Sequence, residues 1–154
     1  LTQLSVPKNQ ILLVEDSRDW QDIWNQSIPR LISRTACNFS AEILQAFSMG
    51  DANEKFSQAT SNDTLQIIVL DYSFPGGDGA AFAQHAVRAG FSGTIIAASG
   101  NVYGCQSIVS AANEAASNLS NATTGLTLLT TEGEKSKVPE LVIQALQDIH
   151  RQSK

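Results

Sequence analysis

The chain alternates short, largely apolar runs with longer stretches whose apolar residues recur at helical spacing. Ile11-Leu12-Leu13-Val14, Ile67-Ile68-Val69-Leu70 and Thr94-Ile95-Ile96-Ala97-Ala98 are the clearest runs. Such runs, bounded by turn residues, predict strands buried on both faces of a parallel sheet. Five strands are read, at about residues 10–14, 43–46, 65–70, 94–98 and 126–129. Helical periodicity fills the intervals. Trp20, Ile23, Trp24, Ile28, Leu31 and Ile32 form the inner face of a first helix, with Asp16 or Ser17 as its cap. Pro29 lacks a backbone donor and crowds the preceding turn, so this helix should kink or end nearby. A short, weak helix is expected over about 51–59, before a turn at Ser61-Asn62-Asp63. The third helix, about 80–89, buries Phe82, Ala83, Ala86 and Val87 and stops at Gly90. The fourth, about 104–118, is rich in Ala and Ser and is expected to be loosely held. The last, about 138–151, carries Pro139 in its first turn, where Pro is tolerated. Strand and helix in strict alternation indicate a doubly wound α/β domain.

Two of these strands stop abruptly on carboxylates. The first runs into Glu15-Asp16, and the third ends at Asp71 before the Pro/Gly-rich segment Tyr72-Ser73-Phe74-Pro75-Gly76-Gly77-Asp78-Gly79. In open parallel sheets, ligands bind at the carboxyl ends of the strands. Three carboxylates on one rim repel one another, and each needs a cation or a raised pKa. An oxygen-rich cluster of that kind suits a hard divalent ion such as Mg²⁺. No G-x-x-x-x-G-K-[ST] loop for nucleotide phosphates occurs.

Over roughly residues 8–152 the chain resembles the receiver domain of response regulators, the phospho-acceptor module of two-component signalling. Asp71, Pro75, Asp78 and Gly79 match the family's D-x-x-x-P-x-x-D-G pattern without a gap, Glu15-Asp16 match its acidic pair, and Ser99 matches the Ser/Thr that ends its fourth strand. The resemblance implies a flavodoxin-like five-stranded parallel sheet in the order 2-1-3-4-5, with five helices. It implies phosphorylation of Asp71 with Mg²⁺, held by Asp16 and Asp71, by Glu15 through water, and by the backbone carbonyl of Ser73. Ser99 would hydrogen-bond a phosphoryl oxygen. A sensor histidine kinase or phosphotransfer protein would be the donor, and a downstream protein the receiver of the signal. The resemblance also allows a homodimer through the fourth helix, fifth strand and fifth helix. No catalysis is expected beyond self-phosphorylation and autodephosphorylation at Asp71.

One part of the pattern departs from the family, which ends its fifth strand with a Lys that pairs with the phosphoryl group. Thr130 falls at that position, and Thr127 falls where an aromatic switch residue is usual. Lys135 or Lys137, reaching back from the longer loop that follows, is the lesser alternative. A phosphorylation-independent interaction module of the same fold, a pseudo-receiver, is therefore the rival reading. An Asp-nucleophile phosphatase of the haloacid-dehalogenase type is disfavoured, because Ser73 stands where its acid/base Asp is needed. A flavodoxin is disfavoured because the first loop has no phosphate-cradling Ser/Thr/Gly cluster.

Composition narrows the remaining classes. At 154 residues, with 42% hydrophobic and 16% charged residues, the expectation is one globular domain over 1–154. A net charge of −5 and the lack of a basic run argue against nucleic acid as a direct partner. No apolar stretch is long enough to span a bilayer, and no secretory leader is read. Cys37 and Cys105 have no metal or redox spacing, which suggests two structural thiols in a reducing, cytoplasmic setting. Trp20 and Trp24 are read as core or core-edge residues, and Tyr103 as ordinary packing in preference to covering the rim or contacting a partner.

Overall fold

The computed structural model describes residues 9–35, 40–61, 64–119 and 125–152. Five parallel strands form the sheet: β1 (Asn9–Val14), β2 (Ala41–Ala46), β3 (Leu65–Leu70), β6 (Thr94–Ala97) and β7 (Thr127–Thr130). A two-stranded hairpin, β4 (Ser73–Phe74) and β5 (Gly77–Asp78), follows β3. The sheet order is β2-β1-β3-β6-β7. The helices are α1 (Arg18–Ser33), α2 (Met49–Ser61), α3 (Gly79–Arg88), α4 (Val102–Ser117) and α5 (Val138–Gln152), the last preceded by a 3-10 turn, Lys135–Lys137. This is the flavodoxin-like arrangement, in the order expected.

Strand alternation divides the core into two layers. Ile11, Leu13, Ile67, Val69, Ile96 and Ala98 pack under α1 and α5, with Trp24, Ile28, Val138 and Val142. Leu12, Val14, Ile68, Leu70, Ile95 and Ala97 face α2, α3 and α4, with Phe56, Phe82 and Ile108. Coverage on both faces explains why these strands read as continuous apolar runs.

Several boundaries differ from expectation. β2 starts two residues early, because Asn9↔Ala41 already pairs with β1. α2 is neither short nor weak: Ala52, Phe56 and Ala59 are buried, and Phe56 meets the Phe82 ring edge-on at 5.7 Å. α1 runs one turn past Pro29 before Arg34 caps it. α4 is firmly seated, since Cys105, Ile108, Ala112 and Ala115 are buried. Its small side chains fill the space against the sheet and α3 without bulk. Cys105 is a buried free thiol, whereas Cys37 and most of the turn at Ser61-Asn62-Asp63 lie outside the described residues. No helix among the described residues is long and apolar enough to cross a membrane.

Candidate functional site

Register brings the strand ends to one level. Val14, Leu70, Ala97 and Thr130 are aligned across the sheet. Ladder-like bonds extend one residue further, from Glu15 N to Ala46 O, Asp71 N to Val14 O, Ala98 N to Leu70 O and Thr131 N to Ala97 O. Glu15, Asp71, Ala98 and Thr131 therefore begin the rim, and Ser99 lies one residue beyond it.

Glu15, Asp16 and Asp71 each offer an oxygen within 4.8 Å of the others. Glu15 is fully buried, Asp71 is 7% exposed, and Asp16 faces solvent. Glu15 is aimed by its neighbours: its Oε2 accepts the Ser17 N–H at 3.1 Å, and its main-chain oxygen accepts the Gln21 side-chain amide at 3.0 Å. The same amide of buried Gln21 also donates to Leu13 O and Ala46 O, so it pins the exit of β1. Asp71 Oδ1 accepts the N–H of Tyr72 at 2.8 Å.

Among the described residues, the cation of this rim is Lys135. Its Nζ lies 2.5 Å from Glu15 Oε1 and 3.3 Å from Asp71 Oδ2, with the side chain only 14% exposed. Thr130 offers no charge, and the ammonium beside these carboxylates stands on a residue five positions further along. Thr130 itself sits one register step below Asp71, level with Leu70, and its hydroxyl accepts the Glu132 N–H at 3.0 Å. Two left-handed residues, Glu132 at φ 54° and Gly133 at φ 89°, turn the chain after β7. That turn returns Lys135 to the rim. Lys137 pairs with Glu134 instead, at 3.6 Å.

The electrostatics follow from burial. Desolvation by burial, reinforced by the charge of Asp71, raises the Glu15 pKa to about 7, against the lowering effect of Lys135 and the Ser17 N–H. Burial opposes the charge of Lys135, but Glu15 and Asp71 outweigh it and hold the ammonium above its ordinary pKa. A pocket with two buried acids and one cation remains short of positive charge.

The loop after Asp71 is shaped by glycine. Gly76, at φ 89°, closes the hairpin in which Ser73 pairs with Asp78. Gly79 packs so tightly that a Cβ there would run into the Asp71 carbonyl oxygen, and Gly79 N donates to Tyr72 O at 2.6 Å. Asp78 caps α3 through Ala81 N at 2.8 Å. Ser73 is exposed, two residues beyond Asp71. Ser99 is 6% exposed, and its Oγ accepts the Asn101 N–H at 3.1 Å. Thr127, which the resemblance sets at the aromatic-switch position, is exposed at the far end of β7. Tyr103 is 76% exposed, contrary to the packing role expected for it. It follows the cap residue Asn101 in the first turn of α4, where the side chain projects beyond the core.

Two residues that reach the site are not evident as such from sequence: nothing in the pattern singles out Gln21, and Trp24, whose indole N–H donates to Lys135 O at 3.1 Å, reads only as a core or core-edge residue of the first helix. Their indirect signal is a donor side chain on the helix after β1. Lys135 was discernible as a cation in the loop beyond β7.

No protein-family model and no curated protein matches the sequence. Solved structures do match in fold. A CheY-like response regulator receiver domain protein from Methanospirillum hungatei is 15% identical, with 94% of this chain and 98% of that one covered and a TM-score of 0.56. The receiver domain of the hybrid histidine kinase CckA is 21% identical, with coverages of 90% and 99% and a TM-score of 0.56. A chain of the CheX–CheY–BeF₃–Mg²⁺ complex from Borrelia burgdorferi is 16% identical, with coverages of 90% and 89% and a TM-score of 0.57. The chain has the fold of these receiver domains.

Proposed function

We propose that this chain is a receiver domain of a two-component system that accepts a phosphoryl group on Asp71. The observation that carries the reading is the cluster of Glu15, Asp16 and Asp71 with the Lys135 ammonium on two of its three carboxylates. Phosphoryl transfer of this kind depends on placing a nucleophile and neutralising the charge on the transferred group's oxygens. Asp71 is the nucleophile, and Lys135 supplies one of the compensating charges. Ser99 is the hydroxyl donor to a phosphoryl oxygen.

The donor set fits a Mg²⁺ ion. All three side chains offer oxygen, and burial of Glu15 leaves the pocket in need of positive charge. Asp16 and Asp71 would hold the ion directly, Glu15 through water, and the Ser73 carbonyl would complete the protein ligands. When bound, the ion adds positive charge beside the phosphoryl oxygens. A sensor histidine kinase or a phosphotransfer protein in the cytoplasm is the proposed donor. Output is proposed to run through protein contacts on α4, β7 and α5, where Val102 and Tyr103 are exposed. The same face is the proposed site of any homodimer. The pseudo-receiver remains the second reading, favoured by Thr127, which leaves no aromatic rotor on β7.

Beryllium fluoride, a mimic of the acyl phosphate, separates the two readings. With Mg²⁺ present, fluorine NMR should show a bound complex for the wild type and none for Asp71→Asn. Free fluoride species alone in the wild-type sample would favour the pseudo-receiver.

A further inference from the structure

We infer that Trp24 is the positioning residue for Lys135: its indole N–H holds the main chain from which the ammonium reaches Glu15 and Asp71. The functional consequence rests on the receiver reading, while the positioning itself does not. Lys135 lies five residues past the end of β7, on a turn containing Glu132 and Gly133 in left-handed conformations. A lysine so placed has a long stem and an irregular backbone, and both would have to be fixed for its charge to stand in one place. The backbone is fixed by its own carbonyl. Lys135 O accepts Trp24 Nε1–H at 3.1 Å and also the N–H of Val138, which starts α5. The carbonyl's two lone pairs thus tie the lysine to α1 on one side and to α5 on the other.

Trp24 is suited to the task. It is fully buried, in the layer that contains Ile11, Leu13, Val69, Ala98 and Val138, and Trp20 lies against it with ring centroids 5.8 Å apart. A buried indole N–H finds a partner or costs stability. Here the partner is Lys135 O, 111 residues away in sequence. A change in charge at the rim that moves Lys135 is therefore felt at the α1–α5 layer, through a bond that α4 does not share.

The test compares Trp24→Phe, which keeps an aromatic ring but removes the donor, with Trp20→Phe, which alters the neighbouring ring only. The main readout is the Lys135 ¹⁵Nζ–¹H signal in lysine-labelled protein without metal or phosphodonor, assigned by its loss in Lys135→Met. The wild type and Trp20→Phe should give the same signal of a held ammonium. In Trp24→Phe it should shift or broaden, and phosphodonor labelling of Asp71 should slow about 3- to 10-fold, the range for loss of one hydrogen bond. An unchanged Lys135 signal in Trp24→Phe overturns the inference. If Trp24→Phe does not fold, the wild type is compared with Glu15→Gln by indole ¹⁵N–¹H shifts. Removing the carboxylate that holds Lys135 should move the Trp24 indole resonance more than that of Trp20, and equal shifts of the two indoles overturn the inference. A wild type that binds no beryllium fluoride would refute the receiver reading and leave both of these comparisons intact.

Discussion

Replacing Lys135 by Met should destabilise the protein in a strongly pH-dependent way. The ammonium serves two carboxylates, at 2.5 Å and 3.3 Å, and one of them, Glu15, is fully buried. Removing one partner of a buried pair can cost about 3–5 kcal/mol when the other charge is stranded. Glu15 has a way out, because it can take up a proton. With Lys135 present its pKa is already about 7, raised chiefly by desolvation. A carboxylate raised in the folded state costs stability as pH rises above its unfolded value, and the cost levels off once the folded pKa is passed. In the wild type the levelling comes near pH 7. Without Lys135 the folded pKa rises further, so the cost continues to grow. Near pH 5.5 Glu15 is protonated in both folded proteins, and this contribution to their difference vanishes. By pH 8.5, one and a half units past the wild-type value, the extra loss grows to at most about 2 kcal/mol at ~1.4 kcal/mol per unit. Urea unfolding in EDTA, followed by Trp fluorescence at pH 5.5 and pH 8.5, measures it. A stability difference that is the same at both pH values would refute the electrostatic account of the rim.

Other consequences can be checked singly. Asp16→Ala should weaken Mg²⁺ or Mn²⁺ binding at least tenfold in calorimetry, whereas identical isotherms would remove Asp16 from the metal site. Because an ionised Glu15 would attract the cation and its pKa without metal is about 7, Mg²⁺ affinity should rise from pH 6 to pH 8 with proton release, read in buffers of different ionisation enthalpy. Thr130→Lys should raise phosphodonor labelling less than twofold, because Lys135 already supplies the charge and Thr130 sits one register step below Asp71. Gly104→Ala should cost about 1–3 kcal/mol in thermal or urea unfolding, since the added methyl would lie 2.5 Å from Ser99 Oγ and 3.0 Å from Tyr72 Cβ.

The parts of this molecule legible in its sequence are those set by local rules. The apolar runs of β1, β3 and β6 announce strands covered on both faces, and the carboxylates that end β1 and β3 announce the rim. The sheet order was legible only through the family resemblance, because periodicity does not say which strands are neighbours. α2 and α4 were underestimated for one reason: helices of small or polar residues look weak singly, yet Ala52, Ala59, Ala112 and Ala115 allow close approach to the sheet and to neighbouring helices. Lys135 was hardest to place. Its position depends on two left-handed residues and on a carbonyl bonded across 111 residues to Trp24, neither of which leaves a trace in local pattern. Counting back from the end of a strand looks for the cation on the strand, and here the lysine beside the carboxylates stands in the turn beyond it.

The central claim is that Asp71 accepts a phosphoryl group, and intact mass after incubation with Mg²⁺ and acetyl phosphate tests it most directly. The account predicts that the wild type gains the mass of one phosphoryl group, that chelating the metal prevents the gain, and that Asp71→Asn stays unmodified. A wild type that remains unmodified with saturating Mg²⁺, or an Asp71→Asn variant labelled to the same extent, would contradict it.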